Sequence, residues 1–126
     1  MKTTHTIIFI VLVAVIGGFL IWKMRGGTVA DSGQYAALAT CIKDSGATFY
    51  GAFWCPHCQE QKKMFGSAAD LLPYVECSLP NGQGQNQTCT DAGVESYPTW
   101  QFADDSRLNG TQSLATLAEK TSCALP

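Results

Sequence analysis

Apolar positions fall into one long run followed by short groups of different spacing. The run is IIFIVLVAVIGGFLIW, residues 7–22, with no charge inside it. After the small, turn-prone GGTVADSG at 26–33 the pattern changes. In 34–43, QYAALATCIK, Tyr35, Leu38, Cys41 and Ile42 recur at helical spacing, and Asp44, Ser45 and Gly46 stop the helix. Residues 47–53 are short, apolar and aromatic, as a buried strand would be, and Pro56 suits the first turn of a helix over 56–69. Residues 72–77 read as a second strand, and 81–90 as a polar loop leading to a short helix. A hairpin is predicted from 99–103 and 107–108 around Asp104 and Asp105. Ser113 is a good N-cap for a last helix from 114 to about 123, with Leu114, Leu117 and Ala118 on one face.

The run at 7–22 is slightly short of the ~20 residues that span a bilayer, but Thr6 and a snorkelling Lys23 extend it. A cleaved signal peptide ending near Thr28–Ala30 is the rival reading; Lys23 and Arg25 stand where a cleavage region is normally uncharged, which favours a retained anchor. Charge does not orient it, because Lys2 lies on one side and Lys23 and Arg25 on the other. Six cysteines, all beyond the anchor, are heavy use for a reducing cytosol and suit an oxidising compartment. The expected layout is a cytoplasmic stub (1–6), a single-pass transmembrane anchor (7–22), a linker (23–33) and one domain (34–126) on the extracytoplasmic side of the cell membrane. A net charge of −2 with no basic run gives no footprint for nucleic acid, and 14% charged residues argue against general disorder.

Candidate chemistry centres on FYGAFWCPHC, residues 49–58, where a strand feeds a Cys-x-x-Cys at a helix start. Unpaired N–H groups and the positive dipole end of that helix favour a thiolate at Cys55, the form that attacks disulfides. Cys58, one turn in, is placed to resolve the mixed disulfide, and His57 can add a donor or positive charge near the Cys55 sulfur. A zinc site from Cys55, Cys58, Cys77 and Cys89 is disfavoured, because the second pair is Cys-x11-Cys. Phe49, Tyr50, Phe53 and Trp100 read as core strand residues, and Glu60, Lys62 and Lys63 as the solvated side of the helix. Asn86-Gln-Thr and Asn109-Gly-Thr match glycosylation sequons, a short pattern that occurs by chance.

WCPHC followed by QEQKKMFG, then YVEC, a polar loop, a further cysteine and SYPTW resembles the thioredoxin-like domain of bacterial vitamin K epoxide reductase homologues. The resemblance runs from about Thr40 to Glu119. It implies an α/β, thioredoxin-like fold, a central mixed sheet flanked by helices, whose redox-active disulfide needs no other cofactor and no metal. It also implies exchange with cysteine-containing exported proteins, and reoxidation by a quinone-linked, vitamin K epoxide reductase-like membrane protein. By the same resemblance Pro98 is the cis-proline that positions a substrate strand, and Trp54, Pro56 and Tyr97 contact substrate. A core position for Trp54 and an ordinary trans Pro98 are the plainer alternatives.

The family has an additional pair where Cys77 and Cys89 stand, so a structural bridge is implied there, worth ~2–3 kcal/mol. A relay of electrons to Cys55 and Cys58 is its rival. Cys41 and Cys123 can bridge or stay as buried thiols. The buried carboxylate that thioredoxins place six residues before the first cysteine is replaced by Phe49, and Glu76 is a candidate substitute. The resulting expectation is a membrane-anchored thiol-disulfide oxidoreductase. The alternatives are a reductase or isomerase fed by another membrane carrier, and a non-catalytic, disulfide-stapled binding module.

Overall fold

The computed structural model describes residues 8, 11–17 and 33–126. The stub at 1–6, half of the apolar run and nearly all of the linker lie outside the described residues. Within the run, residues 8 and 11–17 are helical with exposed apolar side chains, among them Val11, Leu12 and Ile16. Among the described residues no helix is long and apolar enough to cross a membrane.

Helix α1 (Ala36–Asp44) leads to strand β1 (Thr48–Gly51), then helix α2 (Pro56–Met64) and a 3-10 turn (Gly66–Leu71). Strand β2 (Tyr74–Glu76), helix α3 (Gln87–Asp91), strands β3 (Thr99–Gln101) and β4 (Arg107–Asn109), and helix α4 (Leu114–Thr121) complete the order. The sheet runs β2-β1-β3-β4. β1 and β2 are parallel, with Phe49 beside Tyr74 and Gly51 beside Glu76, while β3 is antiparallel to both β1 and β4. A parallel pair needs a crossover, and α2 with its 3-10 extension supplies it. This mixed four-stranded sheet flanked by helices fits a thioredoxin-like fold.

Burial follows from the apolar spacing. Leu38 and Ile42 of α1, Phe49 of β1, Phe65, Trp100 of β3 and Leu117 of α4 are all at most 1% exposed and form one core with Cys55 and Cys58. Phe49 stacks on Trp100 with ring centroids 4.6 Å apart. Cys41 and Cys123 are bonded, with Cα atoms 5.9 Å apart, and join α1 to the segment after α4. Closing a loop across 82 positions restricts the unfolded chain by about 4 kcal/mol in the chain-entropy account. Cys77 and Cys89 are also bonded, with Cα atoms 5.5 Å apart, and pack with Val94 in a second, smaller core. Asn86 caps α3, its Oδ1 accepting from the Cys89 N–H at 3.0 Å.

Several boundaries differ from the sequence expectation, each for a local reason. The helix predicted over 56–69 ends at Met64, because Gly66 turns the chain with φ 56° and the last turn tightens into 3-10 geometry. The strand predicted over 47–53 stops at Gly51; the Cys55 N–H bonds back to the Ala52 carbonyl, and the intervening turn turns Phe53 out to 51% exposure instead of into the core. Tyr50 is half-buried. Lys62, expected in solvent, lies over the Tyr74 ring with its Nζ 3.4 Å from the centroid, a cation-π contact. The last helix ends at Thr121, where Ser122 adopts a left-handed C-cap (φ 55°), and Ser113 caps its start by accepting from the Thr116 N–H at 3.0 Å. In the hairpin Asp105 takes φ 61°, and Asp104 Oδ1 accepts from the Ser106 N–H.

Candidate active site

Strand β1 delivers the chain to the start of α2, and both thiols sit at that junction. Cys55 is the N-cap and Pro56 the first helical residue, where a missing N–H costs nothing. The Cys55 sulfur accepts the Cys58 backbone N–H at 3.3 Å, so the sulfur takes the place of the usual capping oxygen. Cys55 and Cys58 are free thiols, 5% and 1% exposed. Burial is the main reason the Cys58 thiol is pushed up, from an ordinary 9.0 to about 12. Its hydrogen bond with Cys55 and the charge of that neighbour act in the same sense, while a backbone bond with Ala52 and the Lys62 ammonium pull the other way.

Gly51 permits this packing. A Cβ there would lie 2.8 Å from the Tyr74 ring and 3.0 Å from the Cys58 sulfur, closer than real side chains approach. The turn between β1 and α2 is then fixed from both sides. Glu76 Oε1 accepts the N–H groups of Phe53 (3.2 Å) and Ser78 (2.9 Å), its Oε2 accepts the Tyr74 hydroxyl (2.8 Å), and Gln59 Nε2 donates to the Phe53 carbonyl (2.9 Å). Glu76 thus binds the active-site turn through backbone, and no hydrogen bond among the described residues joins it to Cys58. Burial and the Glu76 carboxylate together raise the Tyr74 hydroxyl well above the usual phenol range. Tyr97 is shifted upward as well, by burial first and the Glu76 charge second.

Trp54 stands 48% exposed beside Cys55, its Nε1 donating to Ser78 Oγ at 2.8 Å and its ring edge-on to Tyr97 at 6.0 Å. Trp54, which directly precedes Cys55, is thus in contact with Tyr97. Pro98 follows a cis Tyr97–Pro98 bond and is buried; continuing the β1–β3 register by one residue sets it level with Gly51. His57 follows Pro56 in the first turn of α2. Its side chain is 71% exposed, and Nδ1 lies 3.5 Å from Glu60 Oε2. Cys77 and Cys89 are bonded to each other, and among the described residues no group of three or more His, Cys, Asp or Glu side chains is disposed to hold a metal ion. Cys41 and Cys123 bridge beside the main core.

Sequence reasoning missed Gln61, Ser78 and Gly51. Gln61 is fully buried one turn beyond Cys58; its Oε1 accepts from Trp100 Nε1 (3.2 Å) and the Gln112 N–H (2.7 Å), and its Nε2 donates to the Gln112 carbonyl (3.1 Å). One turn of an EQKK helix offers no signal for this, because the partners come from distant strands and loops.

No family model matches the chain. The thiol-disulfide oxidoreductase LTO1 of Arabidopsis thaliana is 47% identical to it over 102 residues, which is 76% of this chain and 27% of that protein. The chain spans about a quarter of the length of this curated relative. A continuous match of that extent cannot leave out the middle of the chain, where Cys55 and Cys58 lie. By this similarity the chain is related to a thiol-disulfide oxidoreductase.

Two outcomes follow from the packing. Gly51→Ala lowers stability of the reduced protein by about 1–3 kcal/mol through overpacking, read as a shifted denaturant midpoint; an unchanged midpoint contradicts the close approach. Because the thiolate is the reactive form, site-resolved alkylation of Cys58 in the reduced protein rises about tenfold per pH unit between pH 8 and 11 and levels off near 12. A plateau already reached near pH 10 would show an unburied thiol. The same upward shift stabilises the reduced fold fully below about pH 9, and that contribution is lost as pH rises through about 12.

Proposed function

We propose that the chain is a membrane-anchored protein thiol-disulfide oxidoreductase acting on exported, cysteine-containing proteins outside the cytoplasmic membrane. The observation that carries this reading is the Cys58 N–H aimed at the Cys55 sulfur at a helix N-terminus, an arrangement that favours negative charge on the attacking atom. The relationship to a thiol-disulfide oxidoreductase supports it.

In the oxidised form a substrate thiolate attacks Cys55 Sγ; the Cys55–Cys58 bond breaks, the substrate–Cys55 bond forms, and Cys58 leaves as a thiolate that takes up a proton. A second substrate thiolate attacks the substrate sulfur of that mixed disulfide and expels Cys55. The substrate gains a disulfide, and two electrons pass to the cysteine pair. Their onward acceptor is a quinone-linked membrane protein of the vitamin K epoxide reductase kind, in keeping with the motif order of the bacterial thioredoxin-like domains. Pro98 positions the substrate strand beside Gly51, Trp54, Pro56 and Tyr97 contact it, and Cys77–Cys89 acts as a staple. His57, with Nδ1 3.5 Å from Glu60 Oε2, acts on the poise of the pair from the first turn of α2. A second reading, a reductase or isomerase, is favoured by the burial of Cys58 at 1% exposure, which pushes its thiol up and makes it a poor leaving group and a strong resolving nucleophile once deprotonated.

Cys58→Ala should trap covalent mixed disulfides with exported proteins, and Cys55→Ala should abolish exchange, both read by non-reducing electrophoresis and mass. Exchange retained in Cys55→Ala together with no trapping by Cys58→Ala contradicts the assigned roles.

A further inference from the structure

In residues 33–126 five large apolar side chains are well exposed: Phe53, Trp54, Leu71, Leu79 and Leu125. Three of them belong to the two segments that meet beside Cys55. Phe53 and Trp54 precede the cysteine, and Leu79 starts a tight turn in which the Gly82 N–H bonds to the Leu79 carbonyl at 2.9 Å. A Cβ added at Gly82 would lie 3.7 Å from the Phe53 ring and 3.8 Å from the Trp54 ring, so this turn runs beside both aromatics. The surface is also held rigid. Ser78, 6% exposed, receives the Trp54 indole N–H, Glu76 clamps the Phe53 and Ser78 backbones, and the Cys77–Cys89 bond ties the adjoining segment to α3. A rigid, exposed aromatic surface loses little conformational entropy when something docks on it.

From this we infer that Phe53, Trp54 and Leu79 select the segment that reacts at Cys55: an extended stretch of the partner protein with a large apolar residue next to its reacting cysteine. The inference deepens the exchange function proposed above and rests on Cys55 being the exchanging sulfur. The occupant follows from continuity with that sulfur. Any protein joined to Cys55 Sγ carries the residues flanking its own cysteine across the adjacent Trp54 and the Phe53–Leu79 surface. Burying one such side chain there is worth about tenfold or more in rate or affinity.

The test uses the full chain with Cys55 and Cys58 reduced and the other two bridges intact. Two short synthetic peptides, one with leucine and phenylalanine flanking a single cysteine and one with serine and glutamine, are presented as mixed disulfides with thionitrobenzoate. Cys55 thiolate attacks the peptide sulfur, releases coloured thionitrobenzoate and forms the Cys55–peptide disulfide, which Cys58, losing its proton, then resolves to free peptide thiol. The apolar peptide is expected to react about tenfold faster than the polar one, each rate being corrected for its reaction with glutathione. In Phe53→Ser/Leu79→Ser that ratio falls to within about twofold, whereas Leu71→Ser, ahead of β2 and remote from the turn, keeps it.

A ratio near one in the unmodified chain, or a ratio that survives the double substitution, overturns the proposal. Indifference to the flanking residues together with self-association lost in Phe53→Ser would assign the patch to a second copy, and also overturns it. If neither peptide releases thionitrobenzoate while both react with glutathione, the exchange function itself fails, a result distinct from loss of selectivity.

Discussion

The Cys58 backbone N–H reaches the Cys55 sulfur at 3.3 Å, and the surrounding structure is arranged around that approach. It requires the start of α2 to sit against the end of β1 with no side chain between them, which Gly51 provides. Sheet and helix are then locked at a second point. Phe49 of β1 stacks on Trp100 of β3, and the Trp100 indole donates to Gln61 in the turn of α2 after Cys58. Gln61 is tied in turn to the backbone of Gln112, just ahead of α4. A buried amide with its carbonyl oxygen and NH2 both bonded fixes a helix in register more sharply than apolar contact does, because a shift leaves polar atoms unpaired.

The segment 76–78 does for the outer side of the site what Gln61 does for the inner side. Glu76 holds the turn at Phe53, Ser78 holds the Trp54 ring, and Cys77 between them donates its backbone N–H to the Gly51 carbonyl at 2.8 Å. The bond from Cys77 to Cys89 therefore anchors three consecutive residues that each touch the active-site strand or turn. With Phe53, Ser78 and Tyr74 donating to it, the Glu76 carboxylate positions the active-site turn.

Much of this was legible in order and type. Pro56 at a helix start, Ser113 as a cap, the Asp104–Asp105 turn and the alternation of strands with helices are local signals, and local chemistry decides them. Continuous apolarity misled in two places. FYGAF reads as one strand, yet the chain turns at Ala52 and exposes Phe53, because the backbone must reach the N-cap geometry at Cys55. The helix pattern through Gly66 similarly hid a change to 3-10 geometry. Gln61, Ser78 and the inward face of Gly51 were illegible because partners such as Gln112, Trp54 and Tyr74 lie tens of residues away. His57 was read as a donor or charge near Cys55 from its place between the two cysteines; its exposed ring lies with Nδ1 3.5 Å from Glu60 Oε2, a contact that adjacency to the cysteines does not signal.

The direction in which electrons flow through Cys55 and Cys58 is the claim on which the functional account turns, and it is a property of the pair's reduction potential. The measurement is equilibration of the full chain against defined ratios of reduced and oxidised glutathione, with the state of Cys55 and Cys58 read by alkylation and mass. The account predicts a value at or above about −200 mV, a pair that gives its disulfide away and needs an oxidant to recover it. A value near −270 mV, about that of a reducing thioredoxin, would contradict it and make the chain an electron donor.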